Sequence, residues 1–386
     1  MTLANRISVV VVGGSANALG VLRSLSHCDL TLLCDSKHAP AWSSRYSSCK
    51  VLVSDTRGES IVDDLLRLAK SRPLSQRPVL VLTEEKTVVC VSSARTKLKP
   101  FYEFLLSPEP LLSDLQSKAG FQRHALAARS PVPMGVVLES SRDLERVETL
   151  RFPCVLKPLE QDARYSERFK KAYKVQSAQQ VNDLYAEIEP VAPQMIVQEW
   201  LEGEDSDIYF CLGFYDAQSR LVGNTFTGRK VRSWPLHVGG TASCTSAPEC
   251  ADELTQLTNQ FVQAVGYVGQ IGMEFKRDAN RGGFFMIEPT VGRTDYQHEI
   301  APLSGCNVLA MMVAWLAGQP LPSRGEPKEL VWYDEIADAN ALAHGAPNTL
   351  FQNRQRIAAV WRLQDPMPSI TDLGRRARNR LRKLFR

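Results

Sequence analysis

GQIGMEFKRDANRGGFFMIEPTVGR, residues 269–293, reads as two strands joined by the turn RDANRGG. Glu274 and Glu288 stand about equally far from the middle of that turn, so side-chain alternation puts both on one face of neighbouring strands. Like charges so placed repel each other. A divalent cation shared between them removes the penalty, and hard oxygen ligands of this kind suit Mg²⁺ held together with nucleotide phosphates. On an exposed hairpin the same pair would be two solvated carboxylates, but the apolar neighbours Met273, Phe275, Met286 and Ile287 argue for a substantially buried one.

Two segments upstream fit the same chemistry. FPCVLKP (152–158) sets Lys157 at the end of an apolar strand, where a cationic stem either reaches phosphate oxygens across a cleft or is simply solvated. VQEWLEGEDSD (197–207) couples a strand to a glycine turn and then to acids. It reads either as an ordinary acidic loop or as backbone N–H and C=O groups presented to a base edge, with a carboxylate further on for ribose hydroxyls.

Around these segments the pattern predicts several units. ISVVVVGG, DLTLLCDS and PVLVLTEE are continuous apolar runs bounded by turn residues, which is the signature of buried parallel strands in an open α/β domain. The expected division is an N-terminal α/β domain over 1–112, a small α+β lobe over 113–205, a strand-rich lobe carrying the acidic pair over 206–325, and an extension over 326–386. The opening VVVVGGSANALG lacks the G-x-G-x-x-G spacing, which argues against a nicotinamide-binding oxidoreductase.

In this order and spacing, the segments from about Asp114 to Leu321 resemble the ATP-grasp superfamily, with the parallel-sheet domain that commonly precedes it. The resemblance implies a mixed α/β and α+β fold with Mg²⁺ and ATP as cofactors. It matches Lys118 to the family's first ATP lysine, although Ser117 stands where Asp is common, and Lys157 to the second. It implies main-chain adenine contacts at Glu199 and Leu201, flanking Trp200, with Gln198 beside them and Asp205 on the ribose. Glu274 and Glu288 match the metal carboxylates, Thr290 stands where many members have a ligating Asn, and Arg293 matches the arginine that holds an acyl phosphate. EQDARYSERFKKAYK (160–174) reads as a cover over the triphosphate, with Lys171 as its phosphate contact.

FTGRKVRSWPLHVGGTAS (226–243) and MIEPTVGRTDYQHEIA (286–301) carry a narrower resemblance, to carboxylate-amine ligases of the D-aspartate ligase type that accompany exopolysaccharide biosynthesis. This implies that Arg229, Lys230 and Arg232 contact phosphates or a substrate carboxylate. The implied reaction is ADP-forming: a small-molecule carboxylate is activated and joined to an amine. The alternative, prompted by Ser117 and Thr290, is an ATP-grasp protein that binds nucleotide with weak turnover.

Composition sets the remaining expectations. With 44% hydrophobic residues in 386, the chain is globular, and no apolar run is long enough to span a bilayer, which suggests the cytoplasm. Nine cysteines without a C-x-x-C pair read as reduced thiols. The net charge of +4 is local: LGRRARNRLRKLFR (373–386) holds seven of the 46 Lys and Arg, leaving 39 against 42 acids elsewhere. On a helix its apolar residues share one face, so the segment reads either as a frayed basic end or as a peripheral membrane contact through 373–386; no nucleic-acid-binding module accompanies it. The superfamily's habit of dimerising makes a homodimer a further expectation.

Overall fold

The computed structural model describes residues 6–71, 77–159, 163–348 and 351–374. The chain opens with β1 (Ser8–Val12), β2 (Asp29–Cys34), β3 (Cys49–Leu52) and β4 (Val79–Leu82), which form a parallel sheet in the order β3-β2-β1-β4. Both faces of β1 are covered, which is why it reads VVVV rather than alternating. Val9 and Val11 pack among Leu19 and Leu22 of helix Ala16–Ser24, whereas Val10 and Val12 pack among Ile61, Leu65 and Val88. Gly13, at φ +132°, has no room for a side chain, since a Cβ would come within 2.0 Å of Thr83 Oγ1. This glycine serves close packing between β1 and β4.

The small lobe is an antiparallel sheet of β5 (Gly135–Leu138), β6 (Cys154–Pro158), β7 (Tyr173–Val175) and β8 (Met195–Glu199), ordered β5-β8-β6-β7. Helix Ala178–Ile188 is N-capped by Ser177 and buries Val181 and Tyr185 in the same core as Leu138 and Leu156.

The large lobe contains β9 (Ile208–Tyr215), β10 (Phe226–Trp234), β11 (Gly240–Ser246), β12 (Gly269–Arg277), β13 (Phe284–Val291), β14 (Leu330–Tyr333) and β15 (Gln355–Ala358). They form one seven-stranded sheet, β13-β12-β9-β10-β11-β14-β15. The last two strands, which pair parallel to each other, come from the C-terminal extension.

The first domain and the large lobe share a core: Val10, Leu80 and Val88 belong to the same apolar cluster as Tyr209, Ile271, Met273 and Phe275. A polar pin fixes the seam. Buried Asn17 donates to Thr83 O (3.1 Å) and Thr294 O (3.0 Å) and accepts from Thr294 Oγ1 (2.7 Å), which holds the loop after β13 against the parallel sheet. His298 lies in the same seam, with Nδ1 donating to Asp295 O at 3.0 Å and Cε1 3.1 Å from where a Gly20 Cβ would stand.

All nine cysteines are free thiols, six of them buried, as their apolar settings suggest. Among the described residues no helix is long and apolar enough to cross a membrane.

Burial pushes His298 down to about 4, against an ordinary value near 6.5. The unfolded chain therefore takes up this proton first as pH falls, so stability is intact above about pH 6.5 and is lost between there and about pH 4. In urea titrations at pH 7 and 4.5, His298→Gln should remove about 2 kcal/mol of the wild-type difference. An identical pH difference in the variant would contradict this placement of His298.

Candidate functional site

A cavity of about 680 Å³ lies between the small lobe and the large lobe, within the range of small-molecule sites. Its large-lobe wall is built on the β12–β13 hairpin. Glu274 and Glu288 are direct cross-strand partners, with a register shift immediately after Glu274, and Thr290 stands opposite Gly272 two residues along. A Cβ at Gly272 would come within 3.0 Å of Asp295 Oδ2, so the glycine makes room for that carboxylate.

Two acids side by side need a counter-charge, and β10 supplies one. Lys230, almost wholly buried, places Nζ 2.8 Å from Glu274 Oε2. Burial raises Glu274 above the usual carboxylate range and neighbouring Glu288 adds to the rise, while Lys230 opposes it. For Lys230, burial acts downward, yet Glu274 leaves it above the ordinary lysine value.

The opposite wall carries positive charge. Lys118 opens helix Lys118–Ala127, whose N-cap is Ser117, the hydroxyl accepting from Gly120 N at 2.9 Å. Serine performs the capping that an Asp would otherwise do. Lys118 Nζ donates to Leu159 O (2.9 Å), Lys157 Nζ to Gln198 Oε1 (3.2 Å) and Lys171 Nζ to Val238 O (2.8 Å). None of the three has a carboxylate within ion-pair distance among the described residues. Burial holds Lys157 and Lys171 below the usual lysine range; Glu288 across the cleft opposes the shift, and neighbouring lysines add to it.

At the β8 end, Glu199 N donates to Met134 O and Trp200 N to Pro153 O, whereas Leu201 N–H has no hydrogen-bond acceptor among the described residues. The Glu199 carboxylate is engaged elsewhere, by Arg151 N (3.3 Å) and Arg281 (3.1 Å). Gln198 is fixed by Gln122 at 2.9 Å. The Trp200 ring lies beneath Lys174 Nζ at 4.6 Å and Lys276 Nζ at 5.4 Å.

Of the residues singled out in the sequence, Lys118, Lys157, Lys171, Gln198, Glu199, Trp200, Leu201, Lys230, Glu274, Glu288, Thr290 and Arg293 line this cavity. Asp205, Arg229 and Arg232 do not. Both oxygens of buried Asp205 are taken by backbone donors, Ser233 N at 3.0 Å and His237 N at 2.9 Å, so it organises the turn between β10 and β11. Arg229 reaches Ser206 O and stacks on Tyr209 outside the cavity. Arg232 follows a break in the β10–β11 register and forms a buried pair with Asp338, Nε to Oδ1 at 2.6 Å. Burial alone would raise Asp338, but the hydrogen bond from Arg232 and the charges of Arg232 and Arg356 hold it below the usual range.

The cavity also contains residues the sequence reading did not select: Lys276, Asp295, Tyr296, Gln297 and Asp334. Alternation from Glu274 marks Lys276, two positions along β12. Asp334 gave no local signal, since its position depends on β14 joining the sheet. Gln297 Nε2 donates to Asp295 Oδ2 (3.1 Å), and the Tyr296 hydroxyl donates to Asp334, which also N-caps helix Glu335–Ala343. Burial raises Asp295, with Arg293 opposing.

Among the described residues no group of three or more His, Cys, Asp or Glu is arranged to hold a metal unaided. Two carboxylates and a hydroxyl are nevertheless what Mg²⁺ takes from a protein when phosphates and water complete its shell.

Three lobes, with a parallel sheet preceding two β-rich lobes that enclose this cleft, constitute the ATP-grasp fold. No protein-family model matches the chain, and no curated protein matches it. Among solved structures it is similar to N5-carboxyaminoimidazole synthetase from Staphylococcus aureus, at 14% identity and TM-score 0.64 over 88% of this chain and 85% of that one. Similar too are biotin carboxylase from Campylobacter jejuni in its beta-gamma-ATP complex (14%, 0.63, 83% and 74%) and phosphoribosylglycinamide synthetase from Anaerococcus prevotii (12%, 0.60, 85% and 80%).

Removing one partner of the Arg232–Asp338 pair leaves a buried charge uncompensated. Asp338→Ala should cost about 3–5 kcal/mol in urea unfolding. A loss below about 1 kcal/mol would show that this pair does not support the wall of the cavity.

Proposed function

We propose that the protein is an ADP-forming ligase that activates a small-molecule carboxylate as an acyl phosphate and joins it to an amine, with Mg²⁺ and ATP bound in the cleft. The observation that carries this reading is the division of charge across one cavity: Lys118, Lys157 and Lys171 face it with no carboxylate within ion-pair distance among the described residues, while Glu274 and Glu288 stand paired on the opposite wall. A polyanion with its own divalent cation satisfies both walls at once. The ATP complex of Campylobacter biotin carboxylase and the ADP complex of the Staphylococcus synthetase, on the same fold, support that choice of polyanion.

In this reading Glu274, Glu288 and Thr290 hold Mg²⁺, which when bound offsets charge on the phosphate oxygens. The three lysines orient the triphosphate and neutralise charge as the phosphoryl group moves. Leu201 N–H and the Glu199 carbonyl meet the adenine edge, with Trp200 and Gln198 beside it. Arg293, which donates to Thr294 O at 3.1 Å and lies 4.0 Å from Glu85, lines the cavity where its guanidinium can turn to the activated carboxylate and to the oxyanion that follows amine attack. Asp295 and Asp334 place negative charge in the cavity and suit an amine that arrives as a cation. Lys171, tied to Val238 O across the cleft, closes the site against water. The acid and amine of exopolysaccharide or cell-envelope metabolism are substrates of the right class. A nucleotide-binding protein with little turnover is the second reading, favoured by Thr290 in place of a stronger ligand.

ADP release in hydroxylamine, which captures acyl phosphates, should appear with one or more members of a panel of carboxylic acids. Lys157→Ala and Glu288→Ala should each lower it by about a hundredfold or more. ATP binding without ADP release on any acid and amine pair would favour the second reading; no stabilisation by Mg²⁺-ATP would remove both.

A further inference from the structure

The C-terminal segment before the basic end has its polarity inside out. Residues 367–374 are helical. Met367, Ile370 and Leu373 recur every third position, on one helix face, and are 49%, 53% and 65% exposed. Ser369 and Asp372, which an ordinary surface helix would turn to water, face the protein instead. Just upstream, Trp361 is 51% and Leu363 83% exposed. Five of the twelve large apolar side chains exposed among the described residues thus fall within 361–373.

This exposure is not a loose end. Asp365, 1% exposed, anchors the segment to the first domain through Ser44 Oγ (2.9 Å), Arg45 N (3.0 Å) and Arg23 (3.4 Å). Thr371 Oγ1 adds a hydrogen bond to Ser43 Oγ at 2.9 Å. With the polar side chains anchored inward, the apolar ones face outward.

Residues 375–386, outside the described structure, follow directly with seven Lys and Arg and no acid. We propose that Trp361, Leu363, Met367, Ile370 and Leu373 form a docking surface for a lipid bilayer, and the charge of the sequence that follows them argues that the bilayer is anionic. An apolar face followed in the sequence by seven basic residues is complementary to the interfacial zone of such a bilayer. Tryptophan and aliphatic side chains enter the headgroup boundary while each basic residue near the surface gains about 1 kcal/mol. The proposal does not depend on the ligase reading, because none of these residues lines the cavity.

The test uses the full chain with sucrose-loaded vesicles of phosphatidylcholine alone or with 30% phosphatidylserine, that lipid fraction being of the order found in anionic membranes. Sedimentation should require the anionic lipid and weaken with salt. The variant Leu363→Ser/Ile370→Ser/Leu373→Ser, altered only at exposed positions, should keep the wild-type circular dichroism and lose binding by about tenfold or more. Trp361→Phe should remove a blue shift of tryptophan fluorescence that anionic vesicles induce in the wild type. Equal sedimentation of the triple variant and wild type would overturn the proposal. So would binding to single-stranded RNA in place of vesicles, or a wild-type dimer that the triple variant converts to monomer in the absence of lipid.

Discussion

Two glutamates locked opposite each other on a hairpin are the constraint around which this molecule is arranged. Glu274 and Glu288 are brought together by the register of β12 and β13, and that register is fixed by Met273, Phe275 and Met286 on the buried face. Sliding one strand by a residue would send the apolar set to the cleft and the acids into the core, a change the packing forbids. Lys230 partly relieves the repulsion, and the lysines of the other lobe complete an electrostatic frame that is balanced only across the cleft.

That frame explains why the first domain is built into the large lobe rather than merely attached to it. Asn17 pins the loop that carries Arg293 and Asp295, and His298 packs into the same seam against Gly20. A cleft whose chemistry depends on positioned charges tolerates little movement of the elements that hold them. The small lobe has its own core, distinct from the shared one, and meets the large lobe through polar links such as Lys171 to Val238 O. This separation suits a lobe that moves as a unit.

Much of this was legible in the sequence because its signals are local. The apolar runs of the parallel sheet, the turn RDANRGG and the lysine closing FPCVLKP each depend on neighbours a few residues away. Residue type misleads where long-range geometry decides. Arg229 and Arg232 belong to a basic stretch that reads as a substrate contact, yet an irregular β10–β11 register and the partner Asp338, 106 residues on, turn Arg232 into a structural ion pair. Asp205 has the right type and neighbourhood for a ribose, but the backbone of the β10–β11 turn uses both its oxygens. Asp334 enters the cavity only because a strand from the C-terminal extension joins the large sheet, which no local pattern records.

The most direct test of the central claim is calorimetric titration of ATP into the protein with and without Mg²⁺, in the wild type and in Glu274→Gln/Glu288→Gln. The account predicts that Mg²⁺ tightens ATP binding in the wild type and that the double variant, with its fold intact, loses this dependence. Equal tightening by Mg²⁺ in both proteins would contradict it.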